Sequence, residues 1–149
     1  MDSITIQHAT LSDLDALIEI ENHFTTDKIS KTSFRTLLKK DSAIIYLAKI
    51  HQHLVGYILV LFRKNSQTAR IYSLVVRPEH RKLGIALQLC KAAENIAIKH
   101  HCTSMILEVR PDNHAAIQFY LKHHYHELGK YRKFYEDGAD AIRMKKALK

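Results

Sequence analysis

The chain has 149 residues, of which 46% are hydrophobic, and it contains four glycines and two prolines. This composition excludes collagen-like, linker-like and disordered chains, and the length is typical of one domain, so we expect a single domain over residues 1–149. The net charge of +8 predicts an anionic partner, which nucleic acid, an acidic membrane surface or a polyphosphate cofactor would each satisfy.

Two features of the sequence bear on the cellular compartment. Cys90 and Cys102 have neither C-x-x-C spacing nor a companion pair, which is typical of core thiols in a reducing cytosol. The first residues lack the basic and apolar regions of a signal peptide, and no apolar run reaches the ~20 residues of a membrane helix. We therefore expect a cytoplasmic protein without a membrane partner.

The first third of the chain predicts one strand and two helices. Residues 3–8 alternate apolar and polar side chains, as a half-buried strand does. Ser12 stands at a helix N-cap position, and an apolar i, i+3, i+4 stripe follows it to about residue 23. A loop over residues 24–30 precedes a second helix, which either Ser30 or Thr32 caps.

The middle third predicts an antiparallel meander followed by a long helix. Runs rich in β-branched and aromatic residues at 43–49, 54–63 and 69–76 are separated by short polar breaks. Over residues 85–100 the apolar side chains recur at helical spacing, and this is the strongest helical pattern in the chain.

The last third predicts a strand, a helix and two weaker strands. Residues 105–110 form the strand pattern, and Asn113 is positioned to cap a helix that carries Tyr120. Residues 125–131 and 139–145 predict a strand pair around a turn. If the strands before and after the long helix are parallel neighbours, that helix makes a right-handed crossover.

The junction between the third meander strand and the long helix is a candidate anion site. Small residues at Gly84 and Ala86 let a ligand approach the backbone, and a helix start offers free N–H groups and a positive dipole. Arg77, Arg81 and Lys82 bring positive charge to the same stretch. Neither G-x-x-x-x-G-K-[ST] nor G-x-G-x-x-G occurs, which excludes two familiar phosphate loops.

Three motifs resemble those of one family. Residues 81–86 (RKLGIA) are similar to the [Q/R]-x-x-G-x-[G/A] signature of the GNAT superfamily, the GCN5-related N-acetyltransferases, which bind the acetyl-CoA pyrophosphate on these backbone amides. Residues 107–120 and 134–144 (FYEDGADAIRM) resemble its RimI/Ard1-like branch, which acetylates protein N-termini. The resemblance implies the GNAT fold, an α/β (α+β) domain in the order β-α-α-β-β-β-α-β-α-β-β, with about four helices and a mixed, mostly antiparallel central sheet of about seven strands.

The resemblance also implies catalytic and cofactor-binding residues. Glu108 is implied as the general base, directly or through a water, and Tyr120 as the acid that protonates the CoA sulfur. The residues leave alternatives open: Glu108 paired with Arg110 or a lysine, Tyr120 as a core aromatic, and Asn113 as a helix cap. A main-chain N–H of residues 74–76 is implied as the oxyanion donor. The implied cofactor-binding residues are Leu74, Val75, Val76, Arg81, Lys82, Leu83, Gly84, Ile85, Ala86 and Asn113.

The family geometry would place the acceptor between the loop at 24–30 and the segment 131–138. Aromatic rings there would bracket a peptide backbone, and a carboxylate would attract a cation. The loop lacks the Pro-Trp of RimI-type proteins, so the identity of the acceptor stays open. A core position for the phenylalanine and a solvated turn for the last tyrosine are the alternatives. The implied acceptor-binding residues are Phe24, Asp27, Tyr131 and Tyr135.

Three functions are compatible with these observations. The resemblance implies an acetyl-CoA-dependent N-acetyltransferase acting on a protein or peptide N-terminal α-amine; at pH 7 roughly 10% of α-amines are neutral, against well under 0.1% of lysines. A lysine, a polyamine or another small amine is the second acceptor class. A basic nucleic-acid-binding module is the alternative of a different kind, but the lysines and arginines form no basic stripe, so we expect no nucleic-acid partner.

The histidine clusters raise the question of a metal site. His51 with His53, His100 with His101, and the segment 123–126 all lack a cysteine or carboxylate companion at zinc-motif spacing. Acetyl transfer to an amine also needs no metal. We therefore expect no metal, and we expect the chain to be a monomer or a homodimer.

Overall fold

A mixed seven-stranded sheet lies at the centre of the protein, whose computed structural model describes residues 3–25 and 28–149, without the side chain of Lys82. The elements are, in chain order, β1 (Thr5–His8), α1 (Leu14–Phe24), α2 (Lys31–Leu38), β2 (Ala43–Ile50), β3 (His53–Phe62), β4 (Thr68–Val76), α3 (Ile85–Lys99), β5 (Ser104–Val109), α4 (His114–Lys122), β6 (His126–Tyr131) and β7 (Ala141–Ala147). Across the sheet their order is β1-β2-β3-β4-β5-β7-β6. The pairing of β4 with β5 is parallel and the other described pairings are antiparallel. The predicted fold class and element order are confirmed.

Polar side chains set where the first two helices begin. Ser30 Oγ accepts a hydrogen bond from the Ser33 N–H at 3.1 Å, so Ser30, one of the two predicted candidates, caps α2. Ser12, the predicted cap of α1, lies instead inside a short 3₁₀ turn that precedes the helix. The turn begins earlier because the Asp13 carboxylate accepts a hydrogen bond from the Thr10 N–H at 2.8 Å.

Two apolar layers cover the two faces of the sheet. The first layer lies beneath α3 and α4, and the second beneath α1 and α2. Fully burying one large apolar side chain contributes about 1.5–3 kcal/mol, so each layer holds its helices firmly on the sheet. Large, fully buried members are Ile58, Leu89, Met105 and Met144 in the first layer and Leu17, Ile20, Phe34 and Leu47 in the second.

The parallel pairing of β4 with β5 covers only part of both strands. The ladder runs from Thr68 opposite Ser104 to Ile71 opposite Leu107, although β4 continues to Val76. Beyond that last pair the two strands, which the structure describes completely, separate from each other. The main-chain groups on this side of β4 are therefore not engaged by β5.

A β-bulge in β4 changes which face its side chains point toward. Two consecutive residues of β3 lie opposite Ser73 and Ile71, so Tyr72 is an extra residue in β4. Ile71 packs in the first layer, whereas Val75 packs in the second, although strict alternation would put both on one face. Ser73 consequently points toward the second layer, where it contacts Tyr57.

Candidate active site

An open cleft of about 830 Å³ lies where β4 and β5 separate. One side, the β4 wall, consists of residues 70–75 of β4 with residues 24, 25, 28 and 29 beside α1. The other side, the β5 wall, consists of residues 107–109 of β5 and the following residue 110, with the start of α4 and residues 134–136. The two segments expected at the acceptor end therefore contribute to opposite walls of one cleft.

Glu108 on the β5 wall is held by two arginines, and 4% of its side chain is exposed. Its Oε1 accepts a hydrogen bond from Arg70 Nε at 2.7 Å, and its Oε2 accepts one from Arg143 Nε at 2.6 Å. Arg143 lies directly opposite Glu108 in the β5–β7 ladder, and Arg70 comes from β4. Glu108 is therefore ion-paired, as the alternative to the general base supposed, but neighbouring strands supply its partners instead of Arg110 or a lysine. A carboxylate offers about four acceptor positions, so Oε2 retains one for a water.

Tyr131 contacts Arg143, one of the two arginines that hold Glu108. The Arg143 guanidinium lies 4.2 Å from the centre of the Tyr131 ring, and its Nη1 donates to the Tyr131 hydroxyl at 3.0 Å. Tyr131 is not part of the lining of the cleft, although all of its surroundings on β6 and β7 are described. It therefore contacts the residue that holds Glu108 and not the cleft itself.

Tyr120 lines the cleft from α4, with 7% of the residue exposed. Its ring packs edge-on against Phe119 and Tyr125, with centroids 5.3 and 5.4 Å away. Burial, with smaller contributions from Cys90 and Tyr135, raises the pKa of Tyr120 above its ordinary value. The phenol thus stays protonated at neutral pH and is able to donate a hydrogen bond toward the cleft.

Arg110 fastens residues 134–136 to the β5 wall. Its Nη1 donates to Asp137 Oδ2 at 2.9 Å, and its guanidinium lies 4.2 Å from the centre of the Tyr135 ring. The Ala139 N–H and Arg110 together hold the pKa of Asp137 below its ordinary value. Tyr135 is half-buried against the cleft as a result.

The start of α3 has the backbone geometry of the expected anion site. Residues 78–83 form a 3₁₀ helix, and Gly84 joins it to α3 with a φ of +76°. This left-handed conformation favours glycine, and a Cβ there would meet no atom within 4 Å. The first N–H groups of α3 have no acceptor within the helix. Arg81 is exposed beside them, and its Nε donates to the Val76 carbonyl at 3.2 Å.

Arg77 does not contribute charge to that anion site, contrary to the sequence prediction. Arg77 is buried, its Nε donates to the Leu54 carbonyl at 2.8 Å, and its guanidinium pairs with Glu19 of α1. The hydrogen bond from Arg77 lowers the pKa of Glu19. A buried guanidinium needs such partners, so its charge is used to hold α1 against the end of β4.

The cleft brings together most of the predicted catalytic and acceptor residues but only some of the cofactor residues. Those that line it are Phe24, Leu74, Val75, Glu108, Asn113, Tyr120 and Tyr135. Val76 and residues 81–86 lie beyond its lining, along the continuation of β4 into α3. Asn113 also caps α4, since its Oδ1 accepts the Ala116 N–H at 3.2 Å. Asp27 and the side chain of Lys82 lie outside the described part of the chain.

Sequence reasoning missed Arg70, Arg143 and Ser73. Arg143 is detectable only from the register that places it opposite Glu108, and a hydrophobic pattern does not reveal register between distant strands.

Within residues 3–25 and 28–149, no group of three or more His, Cys, Asp or Glu side chains is arranged to hold a metal ion. No helix in the same residues is long and apolar enough to cross a membrane.

The chain is similar to known acetyltransferases in both sequence and structure. The model of the Acetyltransferase (GNAT) family matches residues 14–125. The chain is 36% identical to an uncharacterised N-acetyltransferase of Methanocaldococcus jannaschii, over 93% of this chain and 88% of the relative. It is 28% identical to an N-alpha-acetyltransferase of Sulfurisphaera tokodaii, over 93% of this chain and 90% of the relative. The solved structure of the ribosomal-protein-S18-alanine N-acetyltransferase of Escherichia coli has a TM-score of 0.87 at 22% identity, covering 98% of this chain and 94% of that one.

The family match extends over most of the chain and includes the strands that form both walls of the cleft. The first relative exceeds 30% identity over nearly the whole length of both proteins. The chain therefore belongs to the GNAT family and is an N-acetyltransferase whose acetyl donor is acetyl-CoA.

Proposed function

We propose that this enzyme acetylates the N-terminal α-amine of a protein or peptide. The observation that carries the proposal is the cleft, because catalytic candidates and both acceptor segments line one space. The similarity to the Sulfurisphaera N-alpha-acetyltransferase over 90% of that protein supports an α-amine as the acceptor.

In this proposal acetyl-CoA binds along β4 and the start of α3. The main-chain groups of residues 72–76 that β5 leaves unengaged bind the pantetheine arm, and Asn113 contributes its amide nitrogen. The N–H groups of residues 84–86 and the Arg81 guanidinium bind the diphosphate. A main-chain N–H within residues 74–76 stabilises the oxyanion that forms during acyl transfer.

The proton transfers are assigned to Glu108 and Tyr120. The acceptor arrives as an ammonium ion and loses one proton, which Glu108 accepts through a water at Oε2. The nitrogen then forms a bond to the thioester carbon, and the carbon–sulfur bond breaks. Tyr120 donates a proton to the departing thiolate and is reprotonated from the new amide nitrogen. The products are the acetylated amine, CoA and one released proton.

The acceptor is proposed to enter between Phe24 on the β4 wall and Tyr135 on the β5 wall. Both rings line the cleft, so they are suited to bracket a peptide backbone. Tyr131 would act through Arg143, which it contacts. Asp27 stays a prediction for attracting the incoming cation.

Matched peptides test the choice of acceptor. One peptide carries a free α-amine and no lysine, and the second has the same sequence with a blocked N-terminus and one lysine; spermidine is the third acceptor. We expect kcat/KM for the free α-amine to exceed the other two by about 10²-fold at pH 7, because far more of that amine is neutral. CoA release gives the rates and mass spectrometry locates the acetyl group. A preference for lysine or spermidine would contradict the proposal.

A glycine pair tests the donor site. Gly84→Ala places a methyl group where the diphosphate approaches the backbone, and Gly138→Ala is its control because both residues have positive φ and free space around a Cβ. Each substitution costs about 1–2 kcal/mol of stability from the left-handed conformation. We expect Gly84→Ala alone to raise the Kd for CoA, by about tenfold or more. Equal effects of the two variants in calorimetry would place the diphosphate elsewhere.

A further inference from the structure

A buried carboxylate lies behind the β4 wall and has no part in the scheme above. Glu21, in the last turn of α1, is 1% exposed. Its Oε2 accepts the Ile29 N–H at 2.7 Å, and its Oε1 accepts the Tyr57 hydroxyl. Both donors are uncharged. A carboxylate is rarely buried in an apolar layer unless it is used, so the position of Glu21 in the second layer needs an explanation.

The direction of the hydrogen bonds connects Glu21 to the cleft. Tyr57 has a single O–H, which it donates to Glu21, so Ser73 must be the donor in its 2.9 Å contact with Tyr57. The only hydroxyl proton of Ser73 is thereby used, and its Oγ is left with acceptor capacity. Ser73 lines the cleft. The chain Ser73–Tyr57–Glu21 therefore presents a hydrogen-bond acceptor to a molecule in the cleft.

Tyr57 is suited to pass a proton without keeping a charge. Burial, and then the Glu21 carboxylate, raise the pKa of Tyr57 above its ordinary value, so the tyrosinate is strongly disfavoured. Tyr72, on the neighbouring strand β4, adds a smaller effect in the same direction. Tyr57 therefore gains one proton whenever it gives one away.

We propose that Ser73, Tyr57 and Glu21 form a proton relay that accepts a proton from the acceptor ammonium, and this inference rests on the amine acceptor of the proposed function. The ammonium N–H donates to Ser73 Oγ, and the nitrogen keeps the electron pair when that bond breaks. The hydroxyl proton of Ser73 moves to Tyr57, and the hydroxyl proton of Tyr57 moves to Glu21 Oε1. Glu21 becomes the neutral acid, and after product release the relay returns the proton to water. It works in parallel with Glu108.

Serine substitutions test the relay. Ser73→Ala breaks it at the cleft, and Ser73→Thr keeps a hydroxyl. Ser104→Ala is the matched control, because Ser104 is also a strand serine whose hydroxyl contacts a hydroxyl of the neighbouring strand, that of Thr68 at 3.0 Å, but it lies at the paired end of β4 and β5. Rates are measured at saturating acetyl-CoA from about pH 6.5 to about pH 9.5, which spans the ordinary pKa of an α-amine.

We expect Ser73→Ala to lower kcat/KM for the α-amine peptide about tenfold at pH 7, since the second route through Glu108 remains. The loss should shrink below about threefold near pH 9.5, where the amine is already neutral. Ser104→Ala should stay within about threefold of the parent enzyme, and Ser73→Thr should recover most of the activity that Ser73→Ala loses at pH 7. Adding Glu108→Gln to Ser73→Ala should cost more than either change alone.

Two results would overturn the relay: a loss of equal size at pH 7 and pH 9.5, or a loss below about threefold at both. The first would show that Ser73 acts through packing, and the second that its hydroxyl takes no proton. If another amine proves to be the best acceptor, the proposed α-amine function fails. The relay is then tested with that amine across its own pKa, so the two failures are distinguishable.

Discussion

The two walls of the cleft hold their carboxylates in opposite ways. Glu108 on the β5 wall is fixed by two guanidinium groups, whereas Glu21 behind the β4 wall is fixed by a main-chain N–H and a tyrosine hydroxyl. Among the residues that the structure describes, Glu108 makes two ion pairs and Glu21 makes none. The comparison indicates that burial alone does not define the role of a carboxylate. The donors, charged at Glu108 and neutral at Glu21, distinguish the two carboxylates.

We expect the largest effect from removing the proposed proton donor, Tyr120, on the β5 side of the cleft. Tyr120→Phe removes the proton donor for the thiolate and should lower kcat by 10² to 10⁴-fold, with little change in KM, because the proton is needed in the transition state. Tyr125→Phe is the control: this neighbouring hydroxyl donates to Glu94 at 2.8 Å and does not line the cleft, so its loss should lower Tm and spare kcat. Steady-state kinetics and thermal melts distinguish the two. A Tyr120→Phe loss below about threefold would make the ring a structural residue.

Alkaline pH should destabilise both walls through their tyrosines. Burial raises the pKa of Tyr57 behind the β4 wall and of Tyr120 and Tyr125 beside the β5 wall. A tyrosine whose pKa is raised in the folded state contributes its full stability below the unfolded-state pKa, near 10. This contribution is lost as the pH rises from there toward the folded-state pKa. We expect the free energy of unfolding to fall by about 1 kcal/mol per tyrosine at pH 11. Urea titrations at about pH 8 and pH 11 measure this, and Tyr57→Phe should reduce the pH dependence by its share.

Removing one arginine tests the ionic character of the β5 wall. Arg143→Gln leaves the nearly buried Glu108 with one charged partner and should lower the free energy of unfolding by about 1–3 kcal/mol. Arg132→Gln, the same change at an exposed residue in the turn after β6, should have little effect. Adding Glu108→Gln to Arg143→Gln should recover part of the loss, since an amide costs less to bury than a carboxylate. Additive losses in this double-mutant cycle would mean that the two residues are not coupled.

Salt should produce the smallest effect, and only on the β5 wall. The contact of Arg110 with Asp137 is exposed, so raising NaCl from about 0.1 to 1 M should screen it and loosen residues 134–136. At saturating acetyl-CoA we expect the KM for the acceptor peptide to rise about twofold in the parent enzyme and less in Asp137→Asn. The same increase in both proteins would locate the salt-sensitive contact elsewhere.

The order of elements was predictable because strands and helices follow local periodicity. The start of α3 was predictable because its motif is contiguous in the sequence. The partners of charged residues were not predictable in the same way. Arg77 was expected to face the anion site but turns toward Glu19, and Glu108 takes its partners from two strands that are distant in sequence. These contacts depend on strand register, which no single stretch of sequence specifies. The bulge at Tyr72, which directs Ser73 toward Tyr57, likewise appears only once β3 and β4 are paired.

The early end of the β4–β5 ladder creates a strand edge in the interior of a sheet. Such an edge is a template for any extended chain, and most proteins protect theirs at the periphery. Here the acetyl donor itself would supply the missing partner, so its binding would close the gap and slow hydrogen exchange at residues 72–76. Ligand that binds only the folded state also raises stability in proportion to the logarithm of its concentration. The concentration of acetyl-CoA would thus set part of the stability of this protein, as well as its rate.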